Sequence, residues 1–163
     1  MSIFCEDTVF VSSQTSQNDV FREVYDILLK KKLVTVDFLD HLIEREENYP
    51  TGLDLTLIDQ VLPNIAIPHT ESEYVNTTRI IPIKLNHPIS FNNMIQPKTE
   101  LKVSFLFMIL NKDGETQSNL LATIMDFINA LDQSTLLHFF QLNDPKEIYT
   151  FLTKNFKGER LND

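Results

Sequence analysis

The sequence holds one cysteine, three glycines and no tryptophan in 163 residues. A lone thiol at Cys5 cannot close an internal disulfide, which predicts a fold without covalent staples and a reducing, cytoplasmic setting. With so little glycine, few turns can rely on left-handed backbone or unusually close approach. No apolar run approaches the roughly 20 residues that a membrane span needs. The N-terminus, Met1 to Asp7, lacks the basic region and long apolar stretch of a signal peptide. Positive charge is also scarce, with 14 basic against 23 acidic residues and a formal net charge of −9. The longest basic run, Lys30-Lys31-Lys32, closes a predicted helix and suits its negative dipole end, so nucleic-acid binding is not expected. A glycine-rich phosphate loop, GxSxG, CxxC and HExxH are all missing. The four histidines, His41, His69, His87 and His138, lie far apart without local ligand spacing, and no metal site is predicted.

What the chain does have is an apolar content of 42%, twelve phenylalanines among it, and 23% charged residues, the profile of one soluble domain with a real core. The apolar piece Val9-Phe10-Val11 suits a short strand. Asn18 is the expected N-cap of a helix to about Lys32, with Val20, Val24, Ile27 and Leu28 on one face. Thr35 is the expected cap of a second helix carrying Phe38, Leu39, Leu42 and Ile43, ended by Tyr49-Pro50-Thr51-Gly52. The short link predicts a helical hairpin. Ile65-Ala66-Ile67 reads as a short buried strand halted by Pro68, and 71–77 as a helical turn. The stretch 79–85 reads as a strand whose Pro82 argues for an edge or a bulge. Residues 89–91 read as a separate strand after a His87-Pro88 turn. Residues 101–110 begin with alternation and become wholly apolar, as in a strand buried on both faces. Helices are expected over about 116–131, from Ser134, and from Asp144-Pro145, with proline at the first helical position. This order predicts an α/β fold: a single-domain sandwich over residues 1–157, one mixed β-sheet flanked by helices, with a fraying tail at 158–163.

Among the histidines, His41 reads as a helix-face residue pairing with Asp37 and Arg45, His87 as a solvated turn residue, and His138 as the outer flank of a helix. His69 stands apart, because it follows a buried strand and a stiff proline. Two readings remain open on local grounds: a satisfied strand-end histidine, or a functional one. Glu71 and Glu73 would raise its pKa but oppose an anionic ligand.

The stretch Asn64-Ile65-Ala66-Ile67-Pro68-His69-Thr70 resembles the phosphohistidine motif of IIA components of the sugar phosphotransferase system, in the fructose–mannitol–nitrogen-regulation family. Arg45-Glu46-Glu47-Asn48-Tyr49-Pro50-Thr51-Gly52-Leu53 is similar to a second motif of that family, and Asn129-Ala130-Leu131-Asp132 to a third. Phe91-Asn92-Asn93-Met94 resembles the galactitol-type branch. The resemblance implies a cytoplasmic phosphotransferase that forms a phosphohistidine intermediate. His69 would accept the phosphoryl group from the histidine-containing phosphocarrier HPr and pass it to a IIB component, whose acceptor is a cysteine if the galactitol-type likeness holds. A IIC membrane permease would then admit the sugar, galactitol or a related polyol. Neither a cofactor nor a metal is implied. Arg45 would balance the phosphoryl charge; as a bare residue it also reads as an exposed helix end among Glu44, Glu46 and Glu47.

One departure accompanies the resemblance. Many members carry a second histidine early in the helix after the main strand, a place that falls near Leu120 here. Thr70, Gln117 and Asn119 are candidates to hydrogen-bond the phosphoryl group instead, although Gln117 and Asn119 also read as ordinary polarity at a helix start. Two rival roles are a IIA-like regulatory module, whose His69 phosphorylation state controls another protein, and a binding module that no longer accepts phosphate.

Overall fold

The computed structural model describes residues 3–113 and 117–156, without the side chains of residues 117 and 118. One five-stranded sheet runs β1-β4-β5-β3-β2, with β1 Phe10–Ser12, β2 Gly52–Leu53, β3 Asn64–Ala66, β4 Arg79–Asn92 and β5 Glu100–Leu110. It is mixed: β1 lies parallel to β4 and β3 parallel to β5, whereas β4–β5 and β2–β3 are antiparallel. Helices α1 Gln17–Lys30 and α2 Phe38–Asn48 cover one face, and α3 Gln117–Ala130, α4 Gln133–Gln141 and α5 Pro145–Asn155 cover the other. The expected α/β sandwich is the observed one.

Alternation along β5 explains the three layers. Phe105, Phe107 and Ile109 enter the core under α3, α4 and α5, while Leu106, Met108 and Leu110 enter the core under α1 and α2. Every one of these six side chains is almost wholly excluded from solvent. Burying a side chain of this size contributes roughly 1.5–3 kcal/mol, so β5 is the thermodynamic spine of the domain.

Several boundaries differ from expectation for physical reasons. The α1 cap is Ser16, whose hydroxyl accepts from Asp19 N–H at 3.2 Å, not Asn18. Asp37 and not Thr35 precedes α2, and the Thr35 hydroxyl is buried without a hydrogen-bond partner among the described residues. Asp132, not Ser134, precedes α4, whereas Asp144 and Pro145 open α5 as expected. Ile3 and Phe4, ahead of the first expected strand, are core residues, with Phe4 edge-on to Phe156 at 4.8 Å.

The largest correction concerns β4, which is one continuous strand in the sheet interior; Pro82 lies opposite Phe107 of β5. Ile80 N–H donates away from β5, to Ile3 O at 2.9 Å. Pro82, two residues on, directs its nitrogen to the same side, one residue before β1 begins pairing at Ile83. The proline therefore costs no bond to β5. The ladder does shift register between Lys84 and Ile89, where Asn86, His87 and Pro88 stand exposed. Residues 157–163, including the expected tail, lie outside the described residues.

Gly52 shows why one of the three glycines is needed. A Cβ there would sit 2.6 Å from the Asn92 carbonyl oxygen, with the backbone of β4 unable to yield cheaply. The expected result for Gly52→Ala is a loss of about 1–3 kcal/mol in unfolding free energy, measured by denaturant titration. A loss under about 0.5 kcal/mol would show that β4 and β2 can part without cost.

Candidate functional site

The site is built where β3 ends. Ile67 N–H donates both to Thr51 Oγ1 at 3.2 Å and to Thr51 O at 3.3 Å, tying β3 to the loop after α2. Pro68 does not halt the sheet as expected. Its carbonyl accepts from Ile109 N–H at 3.0 Å, and His69 continues in parallel register beside Ile109. Proline lacks only a donor, and the ladder asks it only for an acceptor.

His69 Nδ1 lies 2.9 Å from the carbonyl oxygen of Ile67. A carbonyl can only accept, so Nδ1 carries the proton and the lone pair of the neutral ring belongs to Nε2. The imidazole is half-buried, and burial pushes its pKa below the usual value. The hydrogen bond to the Ile67 carbonyl opposes this as the next-largest effect, followed by the Arg45 charge, which lowers the pKa, and Glu71, which raises it. The ring is therefore mostly neutral at pH 7, with one nitrogen free to act as a nucleophile.

Arg45, in the last turn of α2, reaches Glu71 Oε1 with Nη1 at 2.8 Å and lies over the Tyr49 ring at 5.3 Å. Its Nε is buried without a hydrogen-bond partner among the described residues. Partial burial works against ionisation of Glu71, yet its own amide and Arg45 hold the carboxyl below the usual range. Arg45, Glu71, His41 and Tyr49 line a cleft of about 90 Å³ with Glu44 and Asn48. His41 is not a simple helix-face residue: its ring stacks on Tyr74 at 3.8 Å and 13°.

The other candidates lie as follows. Thr70 is buried and its hydroxyl donates to Glu71 O at 2.9 Å. Asn119 stands exposed in the first turn of α3, and its carbonyl accepts from the Thr123 hydroxyl at 2.7 Å. The Gln117 side chain lies outside the described residues. Leu120, near which the resemblance puts the family's second histidine, is a core residue on the inner side of α3.

Glu46 is the residue whose importance the sequence reading passed over. It is buried, with Oε2 accepting from Thr51 N–H at 2.7 Å and Oε1 from the Thr51 hydroxyl at 2.8 Å. The signal was available: Leu39, Leu42 and then Glu46 continue one helical stripe, so a carboxylate occupies a core-facing position. Burial pushes its pKa up to about 7, against the lowering effect of Thr51 and Arg45.

The family profile described as "Phosphoenolpyruvate-dependent sugar phosphotransferase system, EIIA 2" matches residues 2–155. The chain belongs to this EIIA family. No curated protein matches the sequence. Among solved structures, IIA mannitol from Escherichia coli is 15% identical, with a TM-score of 0.69 over 91% of this chain and 98% of that one. The nitrogen regulatory protein IIA-Ntr from Neisseria meningitidis is 21% identical, with a TM-score of 0.68 over 92% and 96%. The complex of enzyme IIAMTL with phosphorylated enzyme IIBMTL from Escherichia coli contains a chain 14% identical, with a TM-score of 0.69 over 93% and 97%. At these identities the likeness is one of fold. Among the described residues no helix is long and apolar enough to cross a membrane, and no group of His, Cys, Asp and Glu is placed to hold a metal.

The Glu46 carboxyl keeps its proton to about pH 7 in the folded chain, against an ordinary 4.5. Folding then binds a proton between those values, so this group's contribution is full below about pH 4.5 and is lost as pH rises through about 7. Glu46→Gln is neutral throughout and is expected to reduce the fall in unfolding free energy between pH 5 and pH 8 by roughly 2–3 kcal/mol relative to the parent. The other titrations cancel in that difference. Equal pH dependence in the two proteins would mean that Glu46 titrates normally.

Proposed function

We propose that His69 is a transient phosphoryl carrier in a sugar phosphotransferase system, accepting from the histidine-containing phosphocarrier HPr and donating to a IIB component. The observation that carries this reading is the hydrogen bond from Nδ1–H to the Ile67 carbonyl, which presents the Nε2 lone pair in a chain of the EIIA family. The lone pair attacks phosphorus, an Nε2–P bond forms, and the P–N bond of the donor breaks with its electron pair staying on the donor. The His69 ring gains positive charge as the bond forms, and the Ile67 carbonyl stabilises the Nδ1–H that bears part of it. In the second step the Nε2–P bond breaks and the phosphoryl group passes to the IIB acceptor, a cysteine thiolate on the galactitol-type reading. A IIC permease then takes up the sugar. Galactitol or a related polyol is the proposed substrate, on the resemblance of residues 91–94.

Arg45 balances the incoming charge. Its unpartnered Nε and its solvent-exposed pairing with Glu71 give it donors to offer. Thr70, Gln117 and Asn119 are assigned supporting contacts. A regulatory role is the second reading, favoured by the likeness in fold to the nitrogen regulatory protein IIA-Ntr.

Incubation with labelled phosphoenolpyruvate, enzyme I and the phosphocarrier is expected to give acid-labile label on the intact chain and none on His69→Ala. Arg45→Gln, losing a charge-assisted hydrogen bond of about 1.5–3 kcal/mol, is expected to accept label about 10–100-fold more slowly. An unlabelled parent protein would reject both readings. Discharge of the labelled chain by a IIB component supports transport; label that no IIB removes points to regulation.

A further inference from the structure

The buried Glu46 carboxylate has no place in the phosphoryl-transfer chemistry above, yet its hydrogen bonds lead to the reacting ring. Both carboxylate oxygens are held by one residue, Thr51. A hydroxyl has one proton and two lone pairs, so when the Thr51 proton points at Glu46 a lone pair turns to the next donor. That donor is Ile67 N–H, 3.2 Å away. The other end of Ile67 is its carbonyl, the acceptor for His69 Nδ1 at 2.9 Å. Because Pro68 follows, Ile67 is restricted to extended ψ, so fixing its amide also fixes the direction of its carbonyl. The Pro68 carbonyl is tied in turn to Ile109 N–H at 3.0 Å. An apolar side chain at position 46 would fill the core-facing site without the cost of burying a polar carboxyl group, and such a group at this place is better explained by what its hydrogen bonds orient.

We propose that Glu46 is a positioning residue for His69: through Thr51 and Ile67 it holds the imidazole with Nδ1 protonated and Nε2 free toward the incoming group. The linkage is geometric, since two separate peptide units of Ile67 stand between Thr51 and the ring. The importance of Nε2 rests on the carrier reading of His69, whereas the orientation of the ring does not. Either glutamine at 46 or serine at 51 preserves the hydrogen bonds, the glutamine by accepting from Thr51 N–H and donating to its hydroxyl oxygen. Leucine at 46 removes both bonds to Thr51, and valine at 51 removes the two bonds of the hydroxyl, to Glu46 Oε1 and from Ile67 N–H, while the backbone bonds of residue 51 remain, each change at nearly constant volume.

The test combines nitrogen NMR of the histidine rings with rates of phosphoryl acceptance in Glu46→Leu, Thr51→Val, Glu46→Gln and Thr51→Ser. In the parent, the long-range coupling pattern of His69 should show protonated Nδ1 and unprotonated Nε2. Glu46→Leu and Thr51→Val should move part of the population to the other tautomer and slow acceptance about ten-fold, while Glu46→Gln and Thr51→Ser stay within about three-fold of the parent. The rings of His87 and His138, exposed and remote in the chain, serve as internal controls. A merely structural role would lower the melting temperature and leave the His69 tautomer and the rate per folded molecule unchanged; that result overturns the proposal. Thr51→Val, nearly isosteric, carries the test if Glu46→Leu does not fold. If no protein accepts phosphoryl but the tautomer still shifts, the positioning role stands and the carrier reading fails. A parent ring protonated on Nε2 would overturn the positioning role itself.

Discussion

The ladder between β3 and β5 continues past a proline because the bond required of Pro68 uses its carbonyl. Around that bond the site becomes rigid. On one side Ile109 belongs to the most buried strand of the domain, so its amide is a fixed point. On the other, the loop after α2 grips Ile67 through Thr51. His69 is thus set on a backbone constrained by two layers, and its ring folds back onto the carbonyl two residues earlier. A side chain held this way loses little further freedom on reaction, which is where a scaffold contributes most to a group transfer.

The electrostatic design follows from the same arrangement. Half-burial keeps the imidazole neutral, and the nearest strong cation is occupied by Glu71. That pair is exposed: about 29% of the Arg45 side chain and 49% of Glu71 face solvent. Such pairs are worth about 0–1 kcal/mol. A phosphoryl group brings close to two negative charges and several acceptor oxygens, against one carboxylate for Glu71. On the proposed reading the guanidinium therefore exchanges one weak partner for a stronger one. On that reading the carboxylate at 71, which looks adverse to an anion when read from the sequence, holds the cation in the unphosphorylated state.

Much of this was legible before any coordinates, and the failures have particular causes. The period-two and period-3.6 patterns located β5, α1 and α2, since their signals are purely apolar and local. Pro82 misled because the cost of a strand proline depends on which neighbour its nitrogen faces, and that is a property of the whole sheet. Ile3 and Phe4 were missed because their partner Phe156 lies at the other end of the chain. His69 could be singled out from its setting, yet its protonated nitrogen is decided by a carbonyl whose direction no residue pattern reports. Glu46 was visible as a break in an apolar stripe, but its meaning required knowing that Thr51 faces Ile67. His41 required knowing that 72–74 forms a turn that brings Tyr74 beneath its ring.

Leu120 sharpens where the charge of a phosphoryl group can be met. It lies 3% exposed in the core with Ile124 and Phe127, so its face of α3 is committed to packing. A polar residue one position away points about 100° around the helix, and Asn119 is accordingly solvent-exposed. The polar groups gathered near His69 instead come from the opposite layer: Arg45 and Tyr49 from the end of α2, with His41 and Glu71 beside them. Glu46 and Thr51, from that same helix end and loop, hold the backbone under His69. On the proposed reading the α2 end therefore supplies both the counter-charge and the alignment. A histidine replacing Leu120 would take an apolar side chain out of the α3 packing, so that substitution would cost stability before it could add a hydrogen bond.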